Sequence, residues 1–287
     1  MLAHIENYFR PQSLDEALVI LGNPNNNAIP VAGATAVGIN QGVRQAVKTL
    51  VDLSHAGLDT VWEDDDGLHL GAMVRATRLY RDADITAFAG KAISEAAFAI
   101  GSEPIRNMTS LGGNVVHITA WSDLPPALQV LDARFRIQGK DSDRTISCAE
   151  FFGTHPKKHM NAGELLTEVI IERPAAGSGT SFIKHCKTAV DFALVNVAAL
   201  VTLDGDTVTN IRLSVGAIHT PPIRLADAEA LLQGHSISDP LLAQVSQSVS
   251  AAVSPRKDAR VSEEYLRHSA GVVVKRCILK ATERAGS

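Results

Sequence analysis

The spacing of apolar positions changes along the chain, and each change marks a new element. Ile5 to Phe9 reads as extended. Ser13-Leu14-Asp15-Glu16 then combines a capping hydroxyl with an acid three residues on, predicting a helix to about Leu21. Gly22-Asn23-Pro24-Asn25-Asn26-Asn27 breaks that helix. Ala28 to Ala32 reads as a short buried strand running into the small-residue turn Gly33-Ala34-Thr35. Val47 to Leu53 and Thr60 to Glu63 are strand-like, and Asp64-Asp65-Asp66-Gly67 forms a hairpin turn into Leu68-His69-Leu70.

From Ala72 the period becomes helical. Ile93, Ala96, Ala97 and Ile100 share one face of a helix that Gly101 stops, and a long loop is predicted over 101–123. Leu124 to Leu131 carries prolines in its first turn, where a missing N–H costs little, and reads as a helix. Arg134 to Gln138 and Glu168 to Glu172 read as strands, and Pro174-Ala175-Ala176-Gly177-Ser178-Gly179 as a linker. Three β-type runs follow, Thr180 to Cys186, Val195 to Leu203 and Thr207 to Gly216. Helices are then predicted over 224–232, 239–253 and 263–282. In the last, Leu266, Ala270, Val273, Cys277, Ile278 and Ala281 form one apolar stripe. The expected division is into three units, residues 1–57, 58–175 and 176–287.

Composition narrows the function classes. The 287 residues, 45% of them hydrophobic and 20% charged, suffice for a sizeable core and exclude a disordered or fibrous chain. A net charge of −4 offers no positive field to attract nucleic acid. The first residues lack a basic and then apolar leader, and no apolar run approaches the ~18 residues of a membrane span, so the expected location is cytoplasmic. Cys148, Cys186 and Cys277 are too scattered for a disulfide framework or for ligating a metal cluster. His155 and His159 are four apart, but Pro156 and the lack of a carboxylate or thiol at ligand spacing leave them as surface histidines, and no metal is assigned. Lys184, Lys187 and Asp191 read as a solvated charged face, with tuning of a flavin as the sharper alternative.

Gly33 to Gly38 has phosphate-loop spacing, but Ile39-Asn40 supplies neither the lysine nor the hydroxyl of a nucleoside triphosphatase. Gly-x-Gly-x-x-Gly follows no predicted strand, so the Rossmann signature is missing. Two small-residue turns remain. Val31-Ala32-Gly33-Ala34-Thr35 leaves backbone N–H groups open, as in a pyrophosphate cradle, though a plain strand-to-helix turn has the same composition. Thr109-Ser110-Leu111-Gly112-Gly113-Asn114 joins two hydroxyls, a double glycine and an amide, which suits close approach to a polar ligand. Nine residues on, Asp123 either accepts ribose hydroxyls or caps the following helix.

Taken together, the two turns resemble the FAD-binding medium subunits of the molybdenum hydroxylases, the xanthine dehydrogenase and carbon monoxide dehydrogenase family. The resemblance covers essentially the whole chain. It runs from Pro30-Val31-Ala32-Gly33-Ala34-Thr35 to Ile105-Arg106-Asn107 with Thr109 to Asn114, and on to Ser122-Asp123-Leu124-Pro125-Pro126-Ala127-Leu128. Glu164-Leu165-Leu166-Thr167-Glu168 and Asp191-Phe192-Ala193-Leu194-Val195 complete it.

The resemblance implies an α+β fold. A two-part FAD-binding domain of the vanillyl-alcohol-oxidase type would be followed by a three-stranded antiparallel sheet with a helical bundle, as in the carbon monoxide dehydrogenase flavoprotein C-terminal domain. It also implies that the segment Val31, Ala32, Gly33, Ala34, Thr35 and Ala36 holds the FAD pyrophosphate, with Thr109, Ser110, Gly113 and Asn114 lining it from the other turn. Asp123 would take the ribose, Ile100 and Gly101 would sit near the adenine, and Leu166 and Phe192 would neighbour the flavin. No acid–base side chain is expected, because the flavin does the chemistry.

The implied role is electron transfer. A small subunit with two [2Fe–2S] clusters and a large molybdenum-cofactor subunit would be partners in a dimer of heterotrimers, and NAD, oxygen, a quinone or another carrier would take the electrons. The scattered cysteines exclude the hydroxybenzoyl-CoA reductase branch, whose medium subunit carries a [4Fe–4S] cluster. The chain departs from the family pattern in two ways. Ala34 stands where relatives commonly have a second glycine, which would be strained if that position needs positive φ. Trp121 replaces a small residue or proline, and either shields the cofactor or fills a partner interface. Two other readings stay open: a stand-alone reductase resembling the UDP-N-acetylenolpyruvoylglucosamine reductases, which would need its own proton donor, and an interaction subunit that has lost FAD.

Overall fold

Three short runs of β-formers near the N-terminus pair in parallel, which sends their carboxyl ends to one edge. The structure, a computed structural model, describes residues 5–35, 47–255 and 257–286. Strands β1 (Asn7–Phe9), β2 (Ala28–Val31) and β3 (Thr49–Asp52) form a sheet of order β1-β3-β2. The helix Leu14–Gly22 packs Ala17, Leu18 and Leu21 against Val51 and Leu53. Ser13 caps that helix by accepting from the Glu16 amide at 3.2 Å. Glu16 returns to the amide of Gln12 rather than to that of Ser13, a one-residue variant of the expected capping box. The first turn begins where β2 ends.

The second sheet is antiparallel, of order β4-β5-β8-β6-β7. Its strands are β4 (Val61–Asp64), β5 (Gly67–Gly71), β6 (Arg134–Gly139), β7 (Ser142–Ile146) and β8 (Leu165–Ile171). Alternation along β8 sends Leu165 into the first core and Leu166 into the second, so this strand joins the two. The predicted loop over 101–123 is corrected: it contains the helices Glu103–Met108 and Leu111–Val116. Six residues are too few for a helical period to show, and the paired glycines disguised the second helix as a turn. Gly112 is buried there, where a Cβ would lie 2.7 Å from the Ala72 Cβ.

The third sheet, also antiparallel, consists of β9 (Ser178–His185), β10 (Val195–Asp204), β11 (Thr207–Gly216) and β12 (Ile223–Arg224), in order β12-β11-β10-β9. Three of these were expected; the two-residue β12 is too short for a pattern to reveal. Strand β9 begins at Ser178, inside the segment read as a linker. Val195, Val197, Ala199 and Val201 face the helices Ala226–Leu232, Asp239–Ala252 and Glu263–Ala285, while Ala198 and Leu200 join the second core. Burial on both faces explains why β10 reads as a nearly continuous apolar run. The predicted stripe from Leu266 to Ala281 is buried throughout.

Glu95, in the helix Lys91–Ala99, ties the second core to the third sheet. Its carboxylate accepts from the Phe182 amide at 2.9 Å, from Lys280 at 2.7 Å and from Arg284 at 2.6 Å. Burial pushes this carboxyl up, but Arg284 and Lys280 outweigh that and hold it below its ordinary value. Glu95→Ala is expected to cost about 2–3 kcal/mol, because it strands two cations and an amide. A lowered urea midpoint with an unchanged slope checks this.

Candidate functional site

The two small-residue turns, 76 residues apart in sequence from Gly33 to Thr109, meet in space. A Cβ on Gly33 would lie 1.6 Å from the carbonyl oxygen of Met108, the residue before Thr109, so only glycine allows this contact. Ala34 adopts φ +55°, the left-handed conformation that its departure from the family pattern called into question. The amides of Ala32, Gly33, Ala34 and Thr35 donate to no described residue, which leaves a short run of N–H groups able to bind an anion. Ala36 lies outside the described residues.

Ala in the left-handed region is disfavoured by about 1–2 kcal/mol, partly offset by the lower unfolded-state entropy of Ala relative to Gly. Ala34→Gly is therefore expected to stabilise the chain by about 0.5–1 kcal/mol. A higher melting temperature and slower flavin loss on dilution check it.

The second turn is built around Ser110. Its hydroxyl accepts from the Gly113 amide at 3.2 Å and caps the helix Leu111–Val116, so the hydroxyl proton remains available to a ligand. Leu111 N donates to Val74 O and Ala76 N to Thr109 O, which fixes the turn against the segment leading into the helix Ala76–Arg81. Thr109 turns inward, its hydroxyl donating to Ile105 O at 2.9 Å. Gly113 is exposed, and a Cβ there would meet only Ser110 Oγ within 4 Å. Asn114 Oδ1 is buried without a hydrogen-bond partner among the described residues, an acceptor waiting for a donor.

A chain of polar contacts links these turns to the other expected residues. Arg106, on the helix Glu103–Met108, donates through Nη1 to Ile100 O at 3.0 Å and to Gly101 O at 2.8 Å. Gly101 has φ +39°. Lys184 Nζ reaches Ala99 O at 2.9 Å and Asp123 Oδ2 at 3.0 Å, while Asn196 Nδ2 donates to Asp123 Oδ1 at 3.0 Å and to Ser122 O at 3.1 Å. Antiparallel register sets Asn196 directly opposite Lys184, so one face of β9–β10 presents both to Asp123.

Asp123 makes no capping bond to the helix Leu124–Val130, which removes the capping alternative. Burial pushes its carboxyl up to about 6, against the opposing pull of Lys184 and Asn196. The solvated charged face expected at Lys184 is corrected: its side chain is 7% exposed. An isolated lysine reads as surface because the strand register that supplies its partner is not local in sequence.

Leu166 is buried in the second core beside Thr167, whose carbonyl accepts from Ala72 N; Ala72 O in turn accepts from Gly112 N. Phe192 is 55% exposed and packs on Trp121, itself 45% exposed, with ring centroids 4.6 Å apart. Arg260 anchors that loop by donating to Phe192 O and Ala193 O. The result is an aromatic pair open to solvent. It is mounted on one side by the Ser122–Asp123 network and on the other by Arg260.

Residues 3–174 match the family described as the FAD binding domain in molybdopterin dehydrogenase, and residues 182–281 match the CO dehydrogenase flavoprotein C-terminal domain. The chain belongs to this flavoprotein family. The glyceraldehyde dehydrogenase medium chain of Sulfolobus acidocaldarius is 30% identical over 277 residues, covering 96% of each chain. The carbon monoxide dehydrogenase medium chain of Afipia carboxidovorans is 27% identical, covering 97% of each. Among solved structures, carbon monoxide dehydrogenase from Hydrogenophaga pseudoflava superposes with a TM-score of 0.91 at 25% identity, covering 98% of each chain. As a molybdenum hydroxylase flavoprotein subunit, this chain carries the FAD-binding domain, and the residues present fit FAD. The amides at 32–35 and the Asn114 acceptor, unpartnered among the described residues, together with the Ser110 hydroxyl and the open side of Gly113, suit a phosphate and polar-edge ligand.

Sequence reasoning missed Arg75 and Asn196; it named Arg106 only as part of the family motif, and Lys184 as a solvated face with flavin tuning as the alternative. Only the alternation of β10, which puts a polar Asn196 among Val195, Val197 and Ala198, carried a readable signal. Among the described residues no helix is long and apolar enough to cross a membrane, and no group of three or more His, Cys, Asp or Glu side chains is arranged to hold a metal.

Proposed function

We propose that this chain is the electron-exit subunit of a cytoplasmic molybdenum hydroxylase. It would take reducing equivalents from two [2Fe–2S] clusters on a small partner and pass them to an external acceptor, alongside a large molybdenum-cofactor subunit in a dimer of heterotrimers. The observation that carries this reading is the meeting of the two turns at Gly33 and Met108, with amides on one, and a hydroxyl proton and an amide acceptor on the other, that have no partner among the described residues. Bound FAD supplies the one- and two-electron chemistry. The chain's own residues bind and orient it. Ala32 to Thr35 offer N–H groups to phosphate, Ser110 a proton, and Asn114 an acceptor. Asp123, joined through Lys184 to the Ala99 carbonyl, would take the ribose, with the adenine near Ile100 and Gly101. Trp121 and Phe192, their rings tilted by 33°, form an exposed aromatic pair that would flank the flavin.

Native purification with an absorption spectrum, metal analysis and identification of co-purifying chains tests the proposal. Flavin together with molybdenum, iron and two further subunits is the expected result. Flavin on a lone metal-free chain would instead establish a self-contained reductase, and a flavin-free complex an interaction subunit.

A further inference from the structure

Arg75 lies with its side chain at the junction of the two turns. Its backbone bridges antiparallel to Ser110, and its Nη1 donates to Met108 O at 2.5 Å. The same nitrogen lies 3.1 Å from where a Gly33 Cβ would be. Neither Nε nor Nη2 bonds to a described residue, and no described carboxylate lies within ion-pairing distance of the guanidinium. The segments outside the described residues, 1–4, 36–46, 256 and 287, contain no Asp or Glu. Asp52, which with Asp59 acts on Arg75 at longer range, is committed to the Tyr8 hydroxyl, to Arg10 at 3.2 Å and to the Ser54 amide at 2.9 Å. Burial pulls the Arg75 pKa below its ordinary value, yet a guanidinium stays charged at any working pH. A half-buried cation whose only partner among the described residues is a carbonyl is an incomplete arrangement, and an anion between the two turns completes it.

We propose that Arg75 is the countercharge of the FAD pyrophosphate, anchored through Nη1 on Met108 O with its remaining donors directed to phosphate oxygens. This rests on the FAD reading above and adds a residue to it. It also predicts which part of the ligand the residue recognises: the phosphates, not the ring. Arg75→Gln in the full-length chain is expected to weaken FAD binding about 10- to 100-fold, the loss of a charge-assisted bond. Riboflavin, which has no phosphate, is expected to bind the variant and the unaltered chain equally. Arg75→Lys should recover part of the FAD affinity and keep its salt dependence, because the charge is retained without the fork.

Equal FAD affinity in Arg75→Gln would overturn the proposal, and so would a parallel loss of riboflavin binding, which would mark a structural role. A second measurement needs no variant. In the unaltered chain, FAD and inorganic pyrophosphate should protect the Arg75 peptide from phenylglyoxal, and riboflavin should not. Failure of both anions to protect would refute the assignment even if Arg75→Gln does not fold. An unaltered chain that binds no FAD at all would refute the FAD reading itself, and pyrophosphate protection would then still report on the anion site.

Discussion

Gly33→Ala is expected to abolish flavin retention. The added methyl would sit 1.6 Å from the Met108 carbonyl oxygen, which is backbone and cannot swing aside, so the first turn must separate from the second. The separation also draws the Arg75 guanidinium away from the amides of Ala32 to Thr35. Gly113→Val provides the contrast. Its side chain would meet only the movable Ser110 hydroxyl and otherwise projects into open space, so the chain should fold while the cradle is filled. The pair is read by flavin absorbance in the purified protein and by thermal unfolding. Gly33→Ala loses flavin and melts early, whereas Gly113→Val loses flavin and melts near the unaltered value. A Gly113→Val chain with full flavin would show that the second turn does not touch the cofactor.

The contrast between these glycines also marks how far the sequence could be read. The two turns were legible as candidates because a phosphate cradle needs small side chains and hydroxyls, and those stand together at 31–35 and 109–114. The apolar stripe of the last helix was legible because 23 residues span enough turns for the period to emerge. The helices Glu103–Met108 and Leu111–Val116 were hidden, since six residues give less than two turns. Which glycine packs inward and which faces outward was hidden too: Gly112 answers to Ala72 and Gly113 is exposed, a difference set by a tertiary contact. Arg75 and Lys184 looked like ordinary surface cations for the same reason. The partner of each is fixed by a bridge or a register that joins distant segments, Arg75 to Ser110 and Lys184 to Asn196.

Asp123→Ala is expected to destabilise the chain by about 3–5 kcal/mol, the cost of leaving a buried lysine without its counter-ion. Lys184 Nζ would keep only the Ala99 carbonyl, and the Asn196 amide only Ser122 O. Flavin loss in that variant would therefore not by itself prove a ribose contact. The double variant Asp123→Ala/Lys184→Met separates the two roles, because removing both charges from a buried site restores much of the stability. If the double variant folds and holds no flavin, Asp123 contacts the ligand; if it holds flavin normally, the carboxylate serves only to fix β9–β10 against the loop carrying Trp121. The pH dependence follows from the direction of the shift. The folded-state pKa of about 6 lies above the ordinary 3.8, so the fold favours protonated Asp123. This group's contribution to stability should therefore fall as pH rises from about 4 to about 6 and level off above, and Asp123→Asn should remove that slope. Denaturant midpoints measured across pH 4 to 8 for both chains would show it, and identical profiles would mean that Asp123 stays ionised throughout, held by Lys184.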